Sequence, residues 1–156
     1  MMKEGRLNEV DLLAVNVDEA RALAGPKEPA RSPAAVAEGA IAALAGPYPG
    51  LKLSITAGAE GSWSWDGTAL AHCPVVPVEA VSTAGAGDAH MAGILAGLAC
   101  GLPLRSAQRL GTLIAAAAVT SPHTIHHGLS RTQLQELWTR SGFQDAAVAR
   151  LLLGAG

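Results

Sequence analysis

Residues 11–15 (DLLAV) form a short apolar run of buried-strand type that passes through Asn16 directly into residues 17–24 (VDEARALA), whose charged and apolar side chains fall at helical spacing. A strand that feeds a helix in this way sets the chain on an α/β course. Residues 25–33 (GPKEPARSP) read as a loop, and residues 34–44 as an alanine-rich helix stopped by Gly46-Pro47. The crossover is complete by Leu51, where residues 51–56 (LKLSIT) alternate toward a strand. Residues 61–65 (GSWSW) and 75–81 (VVPVEAV) predict further strands separated by turns, with Trp63 and Trp65 on one strand face as packing residues. From Asp88 onward helices dominate. Residues 89–99 place Ala92, Leu95 and Ala99 on one face, and Gly101 and Pro103 separate them from a second helix over 104–120, the two packing as a hairpin. Ser130 and Gln133 have capping-box spacing at the head of a third helix ending near Trp138, and residues 145–153 predict a last one. The pattern predicts an α/β fold with helices on both faces of a sheet, residues 1–156 forming a single unit.

The 156 residues suffice for one domain with a real core, and 49% of them are apolar. A net charge of −2 and scattered basic residues give no footprint for nucleic acid. Cys73 and Cys100 form no CxxC pair and have no partner at zinc-ligand spacing, which predicts buried, reduced thiols. The first residues lack the apolar stretch of a signal peptide and the run 113–119 is too short to span a bilayer, so a soluble, cytoplasmic protein without membrane contact is expected.

Chemistry concentrates in residues 82–93 (STAGAGDAHMAG), where the predicted strand hands over to a helix. The first amides of a helix have no internal partner and the macrodipole is positive there, so Gly85, Ala86 and Gly87 would let a phosphate approach several donors at once. Such donors stabilise charge on a phosphoryl group in flight. Asp88 is placed to accept the proton of an attacking alcohol. Taken alone, a glycine-rich turn followed by Asp also describes an ordinary helix start. There is no GxxxxGK[ST] stretch, and the only lysines are Lys3, Lys27 and Lys52, so a P-loop is excluded. His90 reads as a helix-face residue, and the cluster His123, His126 and His127, with no acidic residue within four positions, as a loop rather than a metal site.

The run 82–95 (STAGAGDAHMAGIL) resembles the C-terminal signature of the ribokinase-like carbohydrate kinases, the PfkB family. Two upstream stretches agree in family order. VNVDEARALAG resembles the family's strand-end Asn with Glu three residues on, and TAGAEG, residues 56–61, resembles its T-x-G-x-x-G loop. Alone, each has a plainer reading as a strand end, a solvated helix residue or a hairpin turn. The resemblance covers about residues 8–140 and implies a three-layer α/β/α ribokinase-like fold, represented by its C-terminal portion. It implies an ATP-dependent kinase acting on a sugar or nucleoside hydroxyl, with Asp88 as base and Gly85, Ala86 and Gly87 as anion hole. Asn16 and Glu19 would lie near the phosphates and a magnesium ion held mainly through water, since that metal dehydrates reluctantly. Thr56, Gly58 and Gly61 would lie along the nucleotide, and Thr112 near the adenine.

Two departures matter. The family has Asp at the position of Ser82 and Thr at that of Ala84, in a segment that holds an activating monovalent cation in many members, which puts such activation in doubt. Family members are also roughly twice this length, and their N-terminal half carries the sugar pocket and a β-lid. The expectation is therefore a homo-oligomer or a companion N-terminal chain, with poor activity of the chain alone. The alternative is a non-catalytic nucleotide-binding or subunit-interaction module, and a kinase of the related vitamin-precursor group is a minor third reading. The choice of sugar or nucleoside is not written in these residues.

Overall fold

The computed structural model describes residues 6–25, 32–122 and 128–154, arranged in two compact units, Met1–His72 and Cys73–Gly156. The first is built on strands β1 (Leu12–Asn16), β2 (Lys52–Thr56), β3 (Ser62–Trp65) and β4 (Leu70–Cys73), which lie in the sheet in that order. β1 and β2 run parallel in register from Leu12 opposite Lys52 to Asn16 opposite Thr56, because helices α1 (Val17–Ala24) and α2 (Pro33–Leu44) carry the chain back between them. β3 pairs antiparallel with β2, so Leu53 meets Trp65 and Ile55 meets Trp63. Ile55 and Trp63 join Ala20, Val36, Ala37 and Ala40 in one core cluster, while Leu53 joins Leu44 and Leu51 in a second, with Trp65 packed against it. The tryptophans are packing residues, as their alternation predicts.

Residues 75–81 form no strand. Pro74 and Pro77 lack amide protons, and Pro77 falls in the middle of the expected run, where it cannot contribute to a ladder. The strand forms earlier, as β4, after a tight reversal at Asp66-Gly67. Asp66 Oδ1 accepts from the Thr68 amide, the Thr68 hydroxyl and the Ala69 amide at 2.8, 2.8 and 2.9 Å. These bonds, the Ala69 amide first, hold the Asp66 carboxyl below its ordinary value. Asp-Gly between two strands is a strong hairpin signal, and it is the one that marks β4 in the sequence.

The second unit is helical: α3 (Ala86–Ala99), α4 (Leu104–Val119), α5 (Arg131–Ser141) and α6 (Ala146–Leu153). Helices α3 and α4 pack as the predicted hairpin, but not through Ala92, Leu95 and Ala99, all of which are exposed. The seam is made of small residues. A Cβ on Gly93 would stand 2.5 Å from Gly111 Cα, one on Gly111 2.6 Å from the His90 carbonyl oxygen, and one on Gly97 2.9 Å from Ala107 Cα. The backbones therefore meet directly, and the face marked by Ala92, Leu95 and Ala99 is not the one that packs.

Helix α6 is fixed to α4 through its cap. Asp145 Oδ1 accepts from the amides of Ala147 and Val148, and Oδ2 from the Ser106 hydroxyl and the Arg109 guanidinium. Burial opposes ionisation of Asp145, but these hydrogen bonds and the arginine charge outweigh it and hold the carboxyl below its ordinary value. Ser130 and Gln133 form the predicted capping box on α5. Cys73 is buried as expected, whereas Cys100 is exposed at the end of α3, where the helix stops at Gly101 with φ +79°.

Candidate functional site

In the first unit, the candidate residues gather at the carboxyl ends of the parallel strands, where open α/β sheets hold ligands. Asn16 closes β1, Thr56 closes β2, and the two are register partners. Asn16 is also the N-cap of α1: its Oδ1 accepts from the amides of Asp18 and Glu19 at 3.0 and 2.9 Å, while Glu19 Oε2 accepts from the Asn16 amide at 2.8 Å. The Asn-x-x-Glu spacing is thus a complete capping box. Both side chains stay exposed, and the box fixes the direction of the Glu19 carboxylate.

Thr56 leads into a short 3-10 turn, Gly58–Glu60, closed by backbone bonds from the Ala57 amide to the Gly61 carbonyl and from the Gly61 amide to the Gly58 carbonyl, 2.9 and 3.1 Å. Gly58 and Gly61 have φ of +55° and +88°, conformations that L side chains rarely adopt. The glycines of T-A-G-A-E-G are there because the backbone requires them, and residues 58–60 stand exposed.

In the second unit, the Ala86 amide donates to the Thr83 carbonyl at 3.2 Å, and Gly85 sits at the third position of that turn with φ 78° and ψ 0°. Those angles belong to a type II turn, which asks for glycine there. The turn runs into α3 three residues earlier than the sequence pattern predicts. The segment before it is pinned to the end of α4 by bonds from the Val81 and Ser82 amides to the Val119 carbonyl. Since Ala86 spends its amide on the turn, the donors left in the first helical turn are those of Gly87 and Asp88, which have no acceptor among the described residues. A Cβ on Gly87 would meet nothing within 4 Å. Asp88 is exposed, and its carboxylate has no partner among the described residues. Ser82 Oγ accepts from the Ala84 amide at 3.3 Å.

Thr112 is buried, and its hydroxyl donates to the Gln108 carbonyl at 3.1 Å and lies 3.3 Å from Cys73 Sγ. Burial pushes the Cys73 thiol up. His90, two residues after Asp88, is buried against α4 with Nε2 unpartnered, and burial pushes its pKa down to about 4. The plainer reading of His90 as a helix residue is the one the packing bears out. His123, His126 and His127 lie outside the described residues. Among the described residues no group of three His, Cys, Asp or Glu side chains could hold a metal, and no helix is long and apolar enough to cross a membrane.

Comparison with known proteins is consistent across sequence and structure. A family model described as pfkB family carbohydrate kinase matches residues 2–131. The chain is 47% identical over 60 residues to an uncharacterized sugar kinase, YegV, of Escherichia coli (strain K12), covering 38% of this chain and 19% of that one. It is 38% identical over 65 residues to fructoselysine 6-kinase of Shigella flexneri, covering 42% and 25%. The crystal structure of ribokinase from Thermotoga maritima superimposes with a TM-score of 0.67 at 22% identity, covering 85% of this chain and 43% of the ribokinase. The chain thus spans less than half the length of these relatives. The ribokinase-like α/β fold expected from the three motifs is present, and the chain belongs to the pfkB family of carbohydrate kinases.

Proposed function

We propose that this chain carries the nucleotide-handling and catalytic portion of an ATP-dependent kinase that transfers the γ-phosphoryl group to a hydroxyl of a sugar or nucleoside. The observation that carries the reading is the start of α3: a left-handed Gly85, an open flank at Gly87, two unspent amides and an exposed Asp88 in consecutive positions. Asp88 takes the proton of the attacking hydroxyl, and the first-turn amides stabilise the charge on the phosphoryl group. Gly85 and Ala86 shape that anion hole, and Gly87 and Asp88 supply its donors. In the first unit, Asn16, Thr56, Gly58 and Gly61 contact ATP. Thr112, whose hydroxyl donates to the Gln108 carbonyl and keeps its acceptor lone pairs, would lie near the adenine.

An exposed carboxylate held in direction by a capping box suits a hydrated magnesium ion, so Glu19 and Asn16 would hold the metal largely through water. Magnesium would supply neutralisation of phosphate charge. A monovalent cation has no place in the reading, since the Ser82 hydroxyl is engaged by its own turn. The exposed apolar face of α3 at Ala92, Leu95 and Ala99 supports an oligomer or a companion as partner.

Calorimetric titration with magnesium and ATP tests the site. Wild type is expected to bind saturably and Gly87→Val to lose binding with an unchanged circular dichroism spectrum. Asp88→Asn is expected to keep binding while phosphoryl transfer falls by about 10²- to 10⁴-fold. A folded wild-type chain that ignores ATP would overturn the reading in favour of a non-catalytic interaction module.

A further inference from the structure

The turn Gly58–Glu60 is closed by backbone bonds among residues 57–61, and its chain neighbours lie in the sheet. A side chain also ties it from outside. His72 Nε2 lies 2.9 Å from the Glu60 carbonyl oxygen, twelve residues away in sequence, and the His72 ring sits on Trp63 with centroids 4.5 Å apart and planes tilted by 38°. A carbonyl oxygen only accepts, so Nε2 carries the proton in this contact. His72 reaches the turn because the Asp66 reversal brings β4 back along β3. The contact therefore has a fixed base: Trp63 is buried in the core beneath the imidazole, and the donor projects beyond it to an exposed turn.

We infer that His72 is a positioning residue for nucleotide binding, holding the Glu60 carbonyl so that the T-A-G-A-E-G loop is already in its binding conformation before ATP arrives. The inference rests on the reading that this loop contacts the nucleotide. An exposed loop with two positive-φ glycines has other conformations open to it, and each would have to be given up on binding. A tether that removes them in the free protein improves affinity without touching the ligand.

The experiment uses the full chain and three variants. His72→Phe keeps a ring over Trp63 without a donor, His72→Gln offers an amide N–H at a comparable reach, and His72→Ala removes both. The readouts are Kd for magnesium ATP by calorimetry, amide hydrogen exchange of residues 57–61, and thermal stability. The expected result is a Kd raised about three- to tenfold in His72→Phe and His72→Ala, with faster exchange in the loop and near-wild-type values of both in His72→Gln. Equal Kd in wild type and His72→Phe, at equal thermal stability, would overturn the inference. So would a Kd that follows thermal stability across the three variants, since that is what loss of packing alone produces. If wild type binds no ATP, the nucleotide reading of the loop fails and the positioning role with it; unchanged exchange in His72→Phe, by contrast, refutes the tether whatever ATP does.

Discussion

Helices α1 and α3 begin at the two motifs that most define the chain, and they begin in opposite ways. At α1, Asn16 and Glu19 spend their side chains on each other's backbone, so the orphan donors of the first turn are answered from within. At α3, Gly85 offers no side chain, and the donors of Gly87 and Asp88 are left to whatever comes. Both are strand-to-helix or loop-to-helix starts with an acidic residue at the third helical position, Glu19 and Asp88, yet one carboxylate closes a cap and the other has no partner among the described residues. A capping box stabilises a helix locally; an uncapped start needs its stability from elsewhere. For α3 that source is the seam with α4, where glycine backbones interlock.

The comparison breaks most visibly at the seam. Gly111→Ala forces a methyl to within 2.6 Å of the His90 carbonyl oxygen, and the expected loss is about 3 kcal/mol, the upper part of the range for overpacking. Thermal or urea unfolding reads it, and a wild-type melting curve would mean that α3 does not depend on this contact. A pH series probes the same seam more gently. His90 is held neutral by burial, with its pKa lowered from 6.5 to about 4. The unfolded chain takes up a proton below pH 6.5 that the folded chain refuses, so stability is full above that value and drains as pH falls toward 4. The loss reaches about 2 to 3 kcal/mol near pH 4.5. His90→Leu should flatten this part of the profile, and a profile that keeps its slope would assign it to other groups.

The smallest effect sharpens the contrast at α1. Asn16→Ala is expected to cost about 1 kcal/mol of stability as a lost cap. Glu19→Gln keeps an acceptor for the Asn16 amide and should leave unfolding unchanged, because Gln serves equally at that position of the box. If Glu19 also faces magnesium, the same variant weakens magnesium-dependent ATP binding while stability holds. Parallel loss of both would reduce Glu19 to a cap residue.

What could be read in advance follows the physics of each signal. The β1–α1 junction, the Gly46-Pro47 stop and the Ser130–Gln133 box rest on local rules, and they appear within a residue or two of their expected bounds. The strand expected at residues 75–81 is absent because Pro77 within the run and Pro74 just before it have no amide to donate, and β4 is legible in the Asp66-Gly67 pair. The packing face of α3 is harder to see: large side chains advertise themselves, whereas a glycine seam shows only as an absence of bulk. The capping role of Asn16 and Glu19 is written in their spacing, the same spacing that the motif resemblance reads as a metal and phosphate site. The commitment of the Thr112 hydroxyl to Gln108 is a matter of helix rotation that spacing does not fix. His72 carries no sequence signal, since its partner is a backbone carbonyl.

The α3–α4 seam has a thermodynamic consequence for the residues it supports. Gly93, Gly97 and Gly111 have no χ angles and Ala107 has none that matters, so these four positions freeze no rotamers when the helices meet, in contrast to the Ile94 and His90 side chains beside them. The entropy lost there is the backbone freedom of glycine, and it is lost at folding. Asp88 therefore stands on a helix whose closest backbone contacts have no side-chain order left to gain.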